Sequence, residues 1–249
     1  VFATQCLVQK KNKNMCIQVT GVLGLGVTAK DLILHIVSVV GAAGATGYTV
    51  EYCGQAIRQL SMESRMTLCN MSIEMGARSG LVAYDDVTQD YLKERSMTPK
   101  GQQWVDACCF WKSLHSDATA QFDKQVTIDA STVVPQISWG SKPDQVIPVT
   151  GQIPMVSEAN SNVQAKDWQT AMQYMGVEPG QAAVSLRLDQ VFIGSCTNGR
   201  LQDLQQVAEV VQGKSVAETI KRAIIVPGSG LVKRQAETLG LDKIFIDAG

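Results

Sequence analysis

The C-terminal half of the chain alternates short apolar segments with amphipathic ones, and this alternation limits the fold more than any other feature. Residues 190–194, 222–226 and 243–246 have the length and composition of strands. Between them, residues 201–211 and 232–239 carry apolar side chains at helical spacing. Strands that alternate with helices predict βαβ units and a mostly parallel sheet. We therefore expect an α/β protein.

The N-terminal half shows the same pattern with clearer signals at the ends of its elements. Thr28 stands three residues before Asp31, which is the spacing of a capping box, and an apolar helical stripe continues to Gly41. The other elements predicted here are strands at 16–20, 48–52 and 125–128 and helices at 62–77 and 99–123. This half is therefore also expected to be α/β.

A change in the sequence pattern between residues 124 and 165 indicates a domain boundary. Prolines and glycines interrupt the pattern there, at Pro135, Gly140, Pro143, Pro148, Gly151 and Pro154. We place the boundary after residue 124, which gives domains of residues 1–124 and 125–249. A chain of 249 residues is long enough for both to bury a core.

Composition excludes several classes of protein. With 22 basic and 23 acidic residues the formal net charge is −1, so the chain lacks the basic field that nucleic-acid binding needs. The first residues do not follow the order of a secretory signal. Seven cysteines, an odd number at irregular spacing, do not indicate a disulfide framework. We expect a cytoplasmic small-molecule enzyme whose cysteines are reduced and mostly buried.

Cys196 is the sharpest candidate for a functional residue. It follows the apolar strand at 190–194 and precedes the helix at 201–211, so it lies where a strand's carboxyl end meets a helix start. Open α/β sheets bind ligands at that edge. The positive end of the helix dipole there favours a thiolate. Such a thiolate suits a soft metal ligand or a nucleophile, and a strand-end cysteine can also be a packing residue.

Asn70 and Glu74 form a second candidate site. They are four residues apart, so on the helix predicted at 62–77 they share one face. An amide and a carboxylate on an otherwise apolar helix are costly to bury without partners. A solvated or ligand-facing site is therefore favoured, with a satisfied polar pair as the alternative.

These two regions resemble the aconitase family. The segment SCTNGR at 195–200 is similar to the first iron–sulfur signature of that family, and RMTLCNMSIEMGA at 65–77 is similar to a second block. Shorter stretches follow the family's order, so the resemblance covers essentially the whole chain. It implies three-layer α/β/α domains of the aconitase large-subunit type with mostly parallel sheets.

The resemblance also implies a cofactor and residue roles. In that family the matching cysteine is one of three thiolates that hold a [4Fe–4S] cluster, whose fourth iron acts on the substrate as a Lewis acid. Cys196 is thus implied as a metal and cofactor ligand, and Asn198 of the same motif as cofactor-binding. Asn70 and Glu74 are implied as catalytic residues that support the labile iron.

Within the family, residues 50–86 are most similar to the bacterial isopropylmalate branch. That branch isomerises 2-isopropylmalate to 3-isopropylmalate by dehydration and rehydration, in leucine biosynthesis. Its serine base lies on a swivelling domain that is a separate small subunit, so the resemblance implies a heterodimer. Homoaconitate, citrate and methylcitrate enzymes are close relatives, and their 2-hydroxy acids remain alternatives. A cluster-free RNA-binding relative and a thiol enzyme that uses Cys196 are further alternatives.

The resemblance is incomplete at both ends. The family has an Asp-Ser-His-Thr stretch upstream and a C-x-x-C pair downstream, and neither is in this sequence. One thiolate cannot hold a cluster that needs three. We therefore expect an internal fragment of the large subunit that has no stable cluster and no turnover by itself.

Overall fold

The computed structural model describes residues 2–249 and divides into two compact units, one ending at Val146 and the other covering Ile147–Gly249. We had placed the boundary after residue 124. The strand Lys124–Asp129 pairs in parallel with the strand Lys13–Thr20, so it belongs to the first unit, and the division lies farther along the chain.

The first unit is built on a four-stranded sheet. Its strands are β1 (Lys13–Thr20), β2 (Tyr48–Cys53), β3 (Ser79–Val82) and β4 (Lys124–Asp129). Its helices are α1 (Ala29–Val40), α2 (Gln55–Gln59), α3 (Met62–Met71), α4 (Asp86–Lys93) and α5 (Gln102–Lys112), with 3₁₀ turns at Ser72–Met75 and Ala130–Thr132. The strand order is β3-β2-β1-β4, and all three pairings are parallel, which confirms the predicted α/β class. Near the end of the unit, β5 (Gln136–Ser138) pairs with β6 (Val146–Pro148).

One face of this sheet carries the core of the first unit. Met15, Ile17 and Val19 alternate along β1 and are fully buried, as a strand with one covered face requires. They belong to one cluster of 21 buried residues that includes the apolar stripe of α1 and Leu68 of α3. Burial of this size is the main source of stability for the unit.

Helix α1 has the ends that the sequence predicts. The Thr28 side chain accepts from the backbone N–H of Asp31, and an Asp31 carboxylate oxygen accepts from the Thr28 N–H at 2.7 Å, which completes the capping box. Gly41 ends the helix and donates its N–H to the carbonyl of Val37 at 2.8 Å. The second carboxylate oxygen of Asp31 accepts from the N–H of Gln136.

Two predicted helices are shorter in the structure. The helix expected at 62–77 ends at Met71 and continues as the 3₁₀ turn Ser72–Met75, which Gly76 ends in the left-handed region. The helix expected at 99–123 is α5, which stops at Lys112. In both cases apolar spacing continues beyond the point where the backbone leaves the α-helix.

The second unit is built on two parallel strands, β7 (Gln190–Ile193) and β8 (Arg222–Ile225). Its helices are α6 (Asn162–Met175), α7 (Leu201–Val211), α8 (Gly230–Thr238) and α9 (Leu241–Ala248). The prediction of a strand at 243–246 is wrong, because these residues lie in α9. A run of three apolar residues, Ile244 to Ile246, cannot distinguish strand from helix. Leu241, Ile244 and Phe245 have the i, i+3, i+4 spacing that packs a helix.

The cysteines are less buried than we expected. Cys16 is buried, three others are half-buried, and Cys6, Cys109 and Cys196 are exposed. All seven are thiols. Within residues 2–249, no helix is long and apolar enough to cross a membrane.

Candidate functional site

The carboxyl ends of β7 and β8 bring two loops together. The N–H of Val226 donates to the carbonyl of Ile193 at 2.8 Å, so the chains leave the sheet side by side. Gly194 has φ +138°, and a Cβ at this position would lie 2.3 Å from the carbonyl oxygen of Val226. Only glycine allows this approach. The edge predicted to bind ligands is therefore formed by the loops at 194–200 and 226–229.

Two further glycines hold these loops in contact. The N–H of Gly228 donates to the carbonyl of Gly199 at 2.7 Å. A Cβ on Gly228 would lie 2.9 Å from that carbonyl oxygen, and one on Gly199 would lie 2.9 Å from the carbonyl oxygen of Ser195. Backbone packing thus accounts for glycine at both positions.

The Ser195 hydroxyl orders the loop that carries Cys196. It accepts from the N–H of Asn198 at 2.7 Å and from that of Thr197 at 3.2 Å. These bonds fold the loop around the serine and leave Cys196 exposed. The Cys196 Sγ lies 3.8 Å from the hydroxyl of Thr197. A solvent-accessible thiol therefore stands at the carboxyl edge of the sheet.

Asn198 is fixed from the first turn of α7. Its Nδ2 donates to one carboxylate oxygen of Asp203 at 3.2 Å, and the other accepts from the N–H of Arg200 at 2.9 Å. Asp203 therefore ties the half-buried Asn198 to the start of the helix. A signal for this role is present in the sequence, because an acidic residue three positions after the first residue of a helix start, here Arg200, can accept from that residue's backbone N–H.

Asn70 and Glu74 lie in the first unit and are both exposed. Asn70 is in the last turn of α3, whereas Glu74 is in the 3₁₀ turn Ser72–Met75. The assumption that both occupy one continuous α-helix is therefore wrong, although they share one short segment. Ile73 between them is also exposed, so the surface here mixes an amide, a carboxylate and an apolar side chain.

Ser72 connects this segment to the core of the first unit. Its side chain is fully buried, donates to the carbonyl of Leu68 at 3.0 Å and lies 2.8 Å from the Tyr52 hydroxyl. A Cβ on Gly80 would lie 2.1 Å from the Ser72 hydroxyl, so β3 also passes close to it. A serine that bonds back to the preceding turn competes with continued helix. This explains why α3 tightens at this residue.

An ion pair between the buried Arg65 and the half-buried Asp85 connects α3 to the start of α4. Arg65 donates to both carboxylate oxygens of Asp85, at 2.5 and 2.7 Å, and to the carbonyl of Arg58 at 2.9 Å. Burial raises the pKa of Asp85, but hydrogen bonds from Arg65 and Thr88 outweigh it and hold the pKa below its usual value. Sequence reasoning missed this pair because its members are twenty residues apart.

The residues present do not complete an iron–sulfur site. Cys196 is the one cysteine between residues 147 and 249. Across the described part of the chain, no group of three or more His, Cys, Asp or Glu side chains could hold a metal ion. A [4Fe–4S] cluster of the expected kind needs three thiolates, of which the second unit offers one. Cys196 is therefore the single thiol that the second unit presents, and it is exposed.

The predicted site residues fall into two pairs. Cys196 and Asn198 share the loop at 195–200, and Asn70 and Glu74 share the end of α3 and its 3₁₀ turn. Comparison with known protein families matches the chain, over residues 1–249, to the aconitase family (aconitate hydratase).

Proposed function

The chain belongs to the aconitase family, and from that membership we propose that it is part of the large subunit of a 3-isopropylmalate dehydratase. Enzymes of the family are hydro-lyases that generally use a [4Fe–4S] cluster. The proposed reaction moves a hydroxyl group from C2 to C3 of isopropylmalate. Water is eliminated to give a cis-alkene and is then added back with the opposite regiochemistry.

The observation that carries this proposal is the loop at 195–200. It displays the thiol of Cys196 at the carboxyl edge of parallel strands, where Ser195 and Asp203 fix the backbone on both sides. Thiolates are soft ligands that suit iron in such clusters. A rigid loop keeps the sulfur at a defined position, and this favours a ligand role.

Asn70, Glu74 and Asn198 would support the reaction through polar contacts. The first two expose an amide and a carboxylate that the core of the first unit does not use. Asn198 is oriented by Asp203, so its side chain has a defined direction. In our proposal these groups act as hydrogen-bond partners in the reaction, and of the three only the Glu74 carboxylate can take up or release a proton.

The proposal includes a partner and further ligands. The second unit supplies one thiolate, so two more are needed before a cluster can bind. We also propose that the base acts from a separate small subunit that carries the swivelling domain. Turnover is expected only when this chain, the other thiolates and that subunit are together.

The proposed function can be tested with the protein encoded by the complete reading frame that contains this chain. It would be co-expressed with a small subunit and reconstituted with iron and sulfide without oxygen. We expect alkene formation from 2-isopropylmalate to be faster than from citrate, homocitrate or methylcitrate. Cys196→Ser should abolish activity and cluster absorbance, whereas Cys109→Ser, at an exposed thiol of the first unit, should retain both. Preference for citrate or homocitrate would contradict the substrate, and full activity of Cys196→Ser would contradict the site.

The alternative functions lack a supporting observation of this kind. Both histidines, His35 and His115, belong to the first unit, so the second unit offers no imidazole to activate Cys196 as a nucleophile. The net charge of −1 provides no general attraction for RNA. The hydro-lyase remains the best-supported proposal.

A further inference from the structure

Two thiols face each other on neighbouring strands of the first unit. Cys16 lies on β1 and Cys53 at the end of β2, and their sulfur atoms are 3.1 Å apart. Both are thiols and neither is among the residues that resemble the cluster site. Such proximity of two sulfurs is not needed by the core, which lies on the other side of the sheet.

The alternation of side chains places this pair on the second face of the sheet. Met15 and Ile17, on either side of Cys16, point into the core. Val50 and Tyr52 do the same on β2, so Glu51 and Cys53 point the opposite way. Cys16 is buried but Cys53 is half-buried, which leaves a path from solvent to the pair.

The register of the strands disfavours a disulfide. Cys16 is directly paired with Glu51, and Cys53 with Gln18, so the two cysteines are diagonal neighbours. On parallel strands about 4.8 Å apart with a rise of about 3.3 Å per residue, positions offset by two residues are about 8 Å apart, whereas disulfides usually span Cα separations of about 4.4–6.8 Å. The sulfurs would also have to approach from 3.1 Å to about 2.05 Å.

A single ion between the sulfurs requires less movement. Metal–thiolate bonds of about 2.3 Å, as for zinc, allow two sulfurs on one ion to lie up to about 4.6 Å apart. The two side chains would need only to separate slightly. No third His, Cys, Asp or Glu completes a metal-binding group with them anywhere in residues 2–249. Zinc, which takes four ligands, is therefore less suitable than an ion that two thiolates satisfy.

We propose that Cys16 and Cys53 form a two-thiolate binding site for a soft monovalent cation of the Cu(I) type. Binding forms two metal–sulfur bonds and releases one proton from each thiol, with no change of oxidation state. The geometry that carries this proposal is the 3.1 Å separation of two sulfur atoms that lie on the same face of the sheet.

The test requires that the other five thiols do not compete. A background chain carries Cys6→Ser, Cys69→Ala, Cys108→Ser, Cys109→Ser and Cys196→Ser, and its folding is checked by circular dichroism. Cu(I) is added without oxygen in competition with a Cu(I) chelator, and the complex is counted by native mass spectrometry. We expect one Cu(I) per chain in the background, and none when Cys53→Ser or Cys16→Ser is added.

A matched control is Gln125→Ala, which changes the β4 residue paired with Cys16 and leaves both thiols in place. This variant should still bind one Cu(I). If the background chain does not fold, the wild type is compared with its Cys53→Ser variant, which should bind one Cu(I) fewer. Folded protein that takes up no Cu(I) at this pair overturns the proposal. Isolation of a Cys16–Cys53 disulfide in place of metal uptake overturns it as well.

Discussion

The two units differ in how completely their parallel strands are covered. In the first unit, β1 alone has four buried residues, and the core cluster contains 21. In the second unit no residue of β7 or β8 is buried, and the cluster around α7, α8 and α9 has four buried members. Parallel sheets are normally covered on both faces.

An apolar cavity shows where the second unit is weakly packed. It has a volume of about 260 Å³ and is lined by Val191, Ile193, Ile225 and Phe245 among others. Two strands without a buried face contribute little stability by themselves. The loop that carries Cys196 is therefore held chiefly by local backbone contacts, whereas the segment that carries Asn70 and Glu74 rests on a large core. Substitutions in the two units should therefore differ in cost, because one site depends on local backbone contacts and the other on a large core.

The largest expected difference is between two leucines. Leu32→Ala in α1 should lower the free energy of unfolding by about 4 kcal/mol, because a cavity in a large core cannot collapse. Leu204→Ala in α7 should lower it by about 2 kcal/mol, because its smaller cluster can relax. Denaturant unfolding with hydrogen exchange would assign each loss to its unit. Val39→Ala and Val210→Ala, at exposed positions of the same helices, are the controls. Equal losses would contradict the comparison.

Removal of the Arg65–Asp85 ion pair should also have a large effect in the first unit. Asp85→Ala leaves the Arg65 guanidinium buried without its counterion and should cost about 3 kcal/mol. The pKa of Asp85 is lower in the folded state than in the unfolded state. The ionised carboxylate therefore stabilises the fold fully above the ordinary Asp pKa of about 3.9. This stabilisation is lost as the pH falls through the folded-state pKa. The exposed neighbour Asp86→Ala should change neither stability nor its pH dependence. If Asp85→Ala lost stability at acid pH in the same way as the wild type, this account would be disproved.

In the second unit, loss of the close approach between Gly194 and Val226 should have the next largest effect on stability. Gly194→Ala places a Cβ against the Val226 carbonyl at a positive φ and should cost about 2 kcal/mol, with faster hydrogen exchange in both loops. Gly213→Ala also has a positive φ, of +70°, but meets no atom within 4 Å, so its cost should be about 1 kcal/mol. If both variants lost the same stability, the close approach at Gly194 would not be what holds the loop.

The same contrast explains which features the sequence could predict. The helix at 201–211 has the predicted ends, and Thr28 and Asp31 cap α1 as expected. These signals are local, because apolar spacing and caps act within a few residues. The parallel pairing also follows from the order of the elements. In contrast, the prediction of a strand at 243–246 is wrong, because the three apolar residues Ile244 to Ile246 contain no full helical period.

The supports of the candidate sites depend on residues far apart in sequence. Ser72 tightens the end of α3 partly through Tyr52, and Gly228 reaches Gly199 across two loops. No spacing rule identifies such partners. The sequence therefore located Cys196, Asn198, Asn70 and Glu74 as candidates but did not reveal what positions them.

The smallest effects are expected at Asn70 and Glu74 themselves. Asn70→Ala and Glu74→Ala remove exposed side chains and should leave the unfolding free energy unchanged within error. Ser72→Ala, on the same segment, removes a fully buried hydroxyl and should cost about 1 kcal/mol by leaving its partners unsatisfied. Denaturant unfolding of the three variants makes the comparison directly. If the exposed residues prove as costly as Ser72, they are structural. If they are neutral, the fold does not require them, which is consistent with the proposed role in binding.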